Sequence, residues 1–218
     1  MAVRIALVIG ATGLVGSRLV HQLLADPRFG KVRVFARRPT GQRHAKLEEH
    51  RIDFDRLDEV DDAIRGDVLF SALGTTLRKA GSEAAQYRVD YGYQHEFARR
   101  AAANGVPVYV LISAAGASPH SRFFYMRMKG ELERDVAELS FRHIHILQPG
   151  FLGGARAEHR PAERLGLAAL TAINRAGLLR AYRPIPADTV ARAMIAASED
   201  RTEPLRVHGP QALFALGA

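Results

Sequence analysis

The apolar run from Val3 to Ile9, broken only by Arg4, leads directly into Gly10-Ala11-Thr12-Gly13-Leu14-Val15-Gly16. A strand apolar at nearly every position is buried on both faces, which requires a sheet covered by helices on either side. Leu14 to Ala25 then has helical spacing, so the three glycines lie between a strand and a helix. At that junction glycine permits a tight turn and leaves no Cβ between the backbone and a ligand. The first amides of the helix point out towards an anion. The arrangement implies a dinucleotide pyrophosphate on the loop; the alternative is a glycine turn with no ligand.

The same alternation continues along the chain. Val32–Ala36, Glu48–Asp53, Asp67–Leu73, Val108–Ile112 and Arg142–Leu147 read as further strands. Leu57–Ile64 reads as a short amphipathic helix, Ala84–Asn104 as a long one stopped by Gly105, and Phe123–Leu139 as another. Ala162–Leu179 and Thr189–Ser198 have helical spacing, the second with Asp188 as its expected N-cap, and Leu205–His208 adds a short strand. Strands alternating with helices specify an α/β fold: a Rossmann-type doubly wound parallel sheet with helices on both faces. The length of 218 residues suits one domain over the whole chain, with 151–218 as a small substrate-side extension of it.

Composition narrows the chemistry. With no cysteine there is no disulfide framework, thiolate nucleophile or cysteine-ligated metal. A formal charge of +8 favours anionic partners, but no run of five basic residues exists, so nucleic acid is not expected. No apolar stretch is long enough to cross a membrane. The first apolar run ends in the glycine loop and not in a cleavage site, which reads as a buried strand and a cytoplasmic protein.

The end of the second strand selects among dinucleotides. An NAD site usually places an acid there for the ribose 2′-hydroxyl. This chain has Arg37 and Arg38, whose fixed charges and paired donors suit the 2′-phosphate of NADP(H); two solvated surface arginines are the alternative. Asp53, after the third strand, is placed either to accept from the adenine amino group or to serve as a turn residue. Tyr125 and Lys129 stand four apart on a helix and share a face, and Ser113 ends the fifth strand. A lysine ammonium beside a phenol lowers its pKa, which lets a tyrosine exchange a proton with a carbonyl or alcohol oxygen while Ser113 holds that oxygen.

Taken together, these motifs resemble the short-chain dehydrogenase/reductase superfamily in its atypical NADP-binding branch, closest to the HIV Tat-interacting-protein oxidoreductases and their bacterial relatives. The likeness rests on Gly10–Gly16, Leu73-Gly-Thr-Thr-Leu-Arg-Lys-Ala-Gly81, Arg88-Val-Asp-Tyr91, Leu111-Ile-Ser113, Tyr125-Met-Arg-Met-Lys-Gly-Glu131 and Gln148-Pro-Gly150. The resemblance implies bound NADP(H) and a site at Ser113, Tyr125 and Lys129. It also implies that Lys129 binds the ribose, that Leu73, Gly74 and Thr75 border ribose and nicotinamide, and that Pro149 and Gly150 lie at the far end. Two departures stand out: Ala114 follows Ser113 where relatives often have a second serine, and no relay asparagine is evident near the matching helix.

Reduction of a small carbonyl compound, or the reverse oxidation, is the expected activity. The alternatives are an NADPH-binding regulatory or scaffold protein without catalysis, and a nucleotide-sugar epimerase or dehydratase. Packing of the two long helices into a homodimer is plausible. His143 and His145 share a strand face, but no third ligand completes a metal pattern, so ordinary strand histidines are expected. Phe123-Phe124-Tyr125 suits either a pocket wall or core packing.

Overall fold

A computed structural model describes residues 3–153 and 184–218. The glycine junction forms as its sequence requires: β1 (Arg4–Ile9) runs into the loop, and α1 (Leu14–Ala25) follows. β2 (Phe29–Ala36), β3 (Leu47–Arg51), β4 (Val68–Ser71), β5 (Val108–Ile112), β6 (His143–Leu147) and β9 (Leu205–His208) complete one sheet in the order β3-β2-β1-β4-β5-β6-β9. Every pairing in it is parallel. From β1 the chain builds outwards through β2 and β3, then restarts at β4 and builds the other way. The strand order therefore reverses between β1 and β4, and a crevice opens beyond their carboxyl ends.

The period-2 geometry of β1 divides the core. Ala6 and Val8, with Val32, Val34, Val68 and Phe70, face α1 and a C-terminal helix, α6 (Ala187–Ala197). Leu7 and Ile9, with Leu69, Tyr109 and Leu111, face Phe97 of α4 (Gln94–Ala103) and Leu132 of α5 (Phe124–Ala137). Each fully buried Leu, Ile or Phe contributes ~1.5–3 kcal/mol of transfer free energy, so a register slip in β1 would exchange both layers at once. A separate parallel pair joins β7 (Leu152–Gly153) to β8 (Ile185–Pro186), and α7 (Pro210–Leu216) follows β9.

Several expectations are corrected. The short helix expected over Leu57–Ile64 is present as a 3-10 helix that ends one residue earlier, at Ala63. β2 begins three residues earlier than its apolar core suggests, because Phe29 is buried beneath Phe70 and the Arg4 guanidinium. Asp188 is not the cap of α6: Pro186 takes the extended N-cap position, and Asp188 falls in the first turn. An acid there still favours the helix through the macrodipole. The long helix is interrupted: α3 (Glu83–Tyr87) and α4 are joined by a π-helical turn, Arg88–Tyr93. Gly105 ends α4 with φ 79°, as its sequence position implies. The short α2 (Leu77–Ala80), capped by Thr76, and α7 were not anticipated. The Ala162–Leu179 helix of the sequence reading lies outside the described residues.

Candidate active site

The glycine loop packs so closely that side chains would not fit. Gly10 has φ 81°, and a Cβ there would lie 2.3 Å from the Ala72 backbone. At Gly16 a Cβ would lie 2.1 Å from the Gly10 carbonyl oxygen. Gly13 is the N-cap of α1, no side chain caps that helix, and its first turn holds no acid. The amides from Leu14 to Gly16 therefore begin a helix with no protein anion in front of them, and Thr12 is exposed beside them. This uncapped cradle fits a pyrophosphate.

Arg37 and Arg38 are both exposed past β2, and neither forms an ion pair among the described residues. They open on different cavities. Arg38 faces one lined by Val34, Glu49 and Arg51. Arg37 faces a larger one, about 540 Å³, shared with Thr75, Lys79, Arg88 and Tyr93. This cavity reaches from the end of β2 to the segment after β4. Arg88 is held by Asp55 at 2.7 Å, whereas Lys79 has no ion-pair partner among the described residues. Asp53 is a turn residue: its carboxylate accepts from the Asp55 amide at 3.0 Å.

A second cleft, about 570 Å³, brings Ser113, Tyr125, Pro149 and Gly150 together with Met126, Phe151 and other mainly apolar neighbours. Ser113 follows β5, and its amide donates to the Leu147 carbonyl at 2.8 Å. Its buried Oγ makes no hydrogen bond among the described residues. The Pro149 carbonyl accepts from the Ala115 amide at 3.0 Å, tying the ends of β5 and β6 together. Helix α5 is pressed against the preceding loop at Gly130, where a Cβ would lie 2.1 Å from Ser118. That close approach sets the height of Tyr125 and Lys129. Of the aromatic cluster, Tyr125 lines the cleft while Phe123 is 77% exposed, so neither packs in the core.

The electrostatics correct one expectation. Tyr125 is 38% exposed, yet crowding of its phenol and the Asp90 charge push its pKa up to about 12. The direction is opposite to the lysine-induced lowering. Lys129 is buried, which pushes its own pKa down against the pull of Asp90 and Glu133, and it donates no hydrogen bond to the phenol among the described residues. Glu133, one turn further along α5, is pushed up by burial and held back by the neighbouring Ser113 hydroxyl, by Gln148 and by Lys129. Both Glu133 oxygens accept from Gln148 Nε2, at 3.0 and 2.9 Å.

The π-helical turn contributes residues that the motif reading did not assign. Asp90 is 1% exposed and accepts from the Thr75 amide at 2.6 Å and from Gln86 Nε2 at 3.3 Å. Gln94 Nε2 donates to the Asp90 carbonyl at 2.6 Å, and Ser71 donates to Gln94 Oε1 at 2.6 Å. Leu73 is half-buried against the sheet and Gly74 is exposed above Asp90. The four-residue spacing Tyr125, Lys129, Glu133 was a signal that pointed to Glu133. Nothing in the sequence marked Asp90 as inward. His143 and His145 have structural hydrogen bonds: His143 to the Glu203 carbonyl at 3.0 Å, and His145 to His208 at 3.2 Å and to the Asp200 carbonyl at 3.1 Å.

An uncapped glycine cradle at the strand-order reversal, with an orphaned serine hydroxyl beside it, is the geometry of a nucleotide cofactor site. The chain matches the NAD(P)H-binding family over residues 10–201. It belongs to that family. Its fold is a Rossmann-type α/β fold, shared with solved structures of low sequence identity. A short chain dehydrogenase family protein from Francisella tularensis superposes with a TM-score of 0.71 at 14% identity, over 97% of this chain and 99% of that one. A short-chain dehydrogenase/reductase superfamily protein from Agrobacterium tumefaciens with bound NAD gives 0.67 at 18% identity, over 94% and 77%. Among sequence relatives, the protein fmp52 of Aspergillus fumigatus is 36% identical over 96% of this chain and 93% of its own length.

That relative is named as mitochondrial. The cytoplasmic expectation is therefore overturned. It rested on reading the first apolar run as a strand; burial of β1 explains the run physically but carries no information about the compartment.

Proposed function

We propose that this NAD(P)H-binding protein is an NADP(H)-dependent oxidoreductase that reduces a small carbonyl compound, in the manner of the Tat-interacting-protein branch. The observation that carries the reading is the shared carboxyl edge of the sheet. The glycine cradle, the Arg37 cavity and the Ser113–Tyr125 cleft all open there. In this reading Gly10 to Gly16 hold the pyrophosphate, and Arg37, with Lys79 across the same cavity, receives the 2′-phosphate. Leu73, Gly74 and Thr75 border the ribose and nicotinamide, and Lys129 donates to the ribose. When bound, the dinucleotide supplies the hydride that goes to the carbonyl carbon.

The chain's own groups complete the balance. Ser113 donates a hydrogen bond to the carbonyl oxygen, which supplies the partner its buried Oγ lacks. Tyr125 gives its phenolic proton to the same oxygen and regains one from solvent through the partly open cleft. A phenol with a pKa near 12 is protonated at neutral pH, which suits the acid of a reduction better than the base of an oxidation. Thermal-shift titration tests the cofactor: stabilisation by NADPH exceeding that by NADH is expected. NADPH oxidation with a panel of aldehydes and ketones tests the chemistry. Tyr125→Phe is expected to lower the rate ~100-fold or more; an unchanged rate sinks the assignment.

A further inference from the structure

The buried Gln86, Asp90 and Gln94 have no part in that scheme, and Asp90 lies between two parts of the cofactor site. Asp90 reaches inward from the π-helical turn Arg88–Tyr93, a wider turn often found at functional positions. Its two oxygens are both acceptors: Oδ1 from the Thr75 amide at 2.6 Å, Oδ2 from Gln86 Nε2 at 3.3 Å. A carboxyl group used only as an acceptor is satisfied in its ionised form. No cation hydrogen-bonds to it among the described residues; burial pushes its carboxyl up, and the Lys129 charge with the Thr75 and Gln86 donors opposes that in favour of the ionised form. The Gly74 backbone passes directly above: a Cβ there would sit 3.4 Å from Oδ1. Gln94 closes the wide turn from below by donating to the Asp90 carbonyl, and is itself held by Ser71.

From this geometry we infer that Asp90 is a positioning residue, the counter-charge of Lys129 and the anchor of the Thr75 amide, so that the 73–75 turn and the Lys129 ammonium are presented to the cofactor together. The inference rests on the cofactor reading above. The charged groups facing Lys129 are Asp90 from the π-helical turn and Glu133 from its own helix. Both Glu133 oxygens are taken by Gln148 Nε2, which leaves Asp90 as the carboxylate linked to the cofactor turn.

The consequence is a specific pH dependence of binding. Burial disfavours the Lys129 ammonium, and Asp90 opposes that effect. Without the Asp90 charge the ammonium is lost at lower pH, and NADPH affinity falls with it. Fluorescence titration of NADPH between pH 6 and 10 measures this for the wild-type chain and for Asp90→Asn, which keeps the shape and removes the charge. The midpoint of the affinity loss is expected to move down by about one pH unit in Asp90→Asn. Asp90→Ala, which also strips the Thr75 amide of its acceptor, is expected to bind about tenfold more weakly even at pH 6. Asp90→Glu keeps the charge and displaces the anchor: weaker binding without a shift in midpoint is expected, and this arm decides the matter if Asp90→Asn does not fold. Superimposable curves for wild type and Asp90→Asn, or unchanged affinity in Asp90→Glu, overturn the inference while the cofactor reading stands. A wild-type chain that binds no NADPH overturns both.

Discussion

The two halves of the sheet build the same crevice by different means. Around β1, α1 and β2 the site is backbone: uncapped amides, three glycines and side chains that reach solvent. Around β4, β5 and α5 it is side chain: Asp90 and Lys129 buried, Glu133 partly so, and Ser113 without a partner among the described residues. The first half depends on space between backbone segments. The second depends on charge balance in a medium where an unpaired group is costly. Substitutions in the two halves should therefore fail in different ways.

The largest effect is expected in the backbone half. Gly16→Ala forces a Cβ to within 2.1 Å of the Gly10 carbonyl oxygen, at the start of α1. A stability loss of at least ~3 kcal/mol, or a fall in Tm of roughly 10 °C, is expected in a thermal melt. Gly13→Ala, where the approach is 3.1 Å, should lose much less. Equal losses would mean that the loop yields and that space is not what limits it.

Acid should reveal the side-chain half next. His145 and His208 pair across β6 and β9, both buried, and burial pushes both down, His208 to about 4. A histidine depressed in the folded state binds its proton more readily when unfolded. Its contribution is intact above the unfolded value near 6.5 and is lost as pH falls towards 4. Urea unfolding at pH 7 and pH 4.5 should differ by up to about 3 kcal/mol. His208→Asn should flatten that difference; a wild-type-like slope in the variant would assign the acid sensitivity elsewhere.

Lys129→Met sharpens the contrast. Removing Lys129 alone leaves the buried Asp90 carboxylate without its counter-charge, so urea unfolding at pH 7 should show a loss of roughly 3 kcal/mol. NADPH-dependent turnover should also fall ~100-fold. Unchanged stability would mean that Asp90 does not depend on Lys129 for its charge balance. The smallest effect is expected at the arginines. Arg37→Ala should cut the NADPH-over-NADH affinity ratio about tenfold. Arg38→Ala, which opens on the other cavity, should change it less than ~3-fold by calorimetry. The reverse order would move the 2′-phosphate to the Arg38 side.

The two halves also differed in how legible they were. The loop Gly10–Gly16 could be read in place, because a glycine junction acts through its immediate neighbours. Ser113, Tyr125 and Lys129 could be ordered along the chain, and the structure brings Ser113 and Tyr125 into one cleft with Lys129 buried behind it. Their protonation could not be read. The expected lowering of the Tyr125 pKa assumed Lys129 as its dominant neighbour, and burial together with Asp90 reversed the direction. Arg37 and Arg38 looked like one pair, but consecutive residues leaving a strand turn to opposite sides, and they face separate cavities.

The sequence by itself determined the alternation of strand and helix, the buried first strand, the glycine cradle and membership of an NAD(P)H-binding family. Those properties depend on local periodicity and on residues that meet within a few positions. Only the tertiary structure decided that a π-helical turn faces Asp90 inward, that Thr75 and Lys129 converge on it from separate elements, and that Glu133 is held by Gln148. The physical reason is that a charge's energy depends on what surrounds it in space, and those surroundings come from segments far apart in the chain.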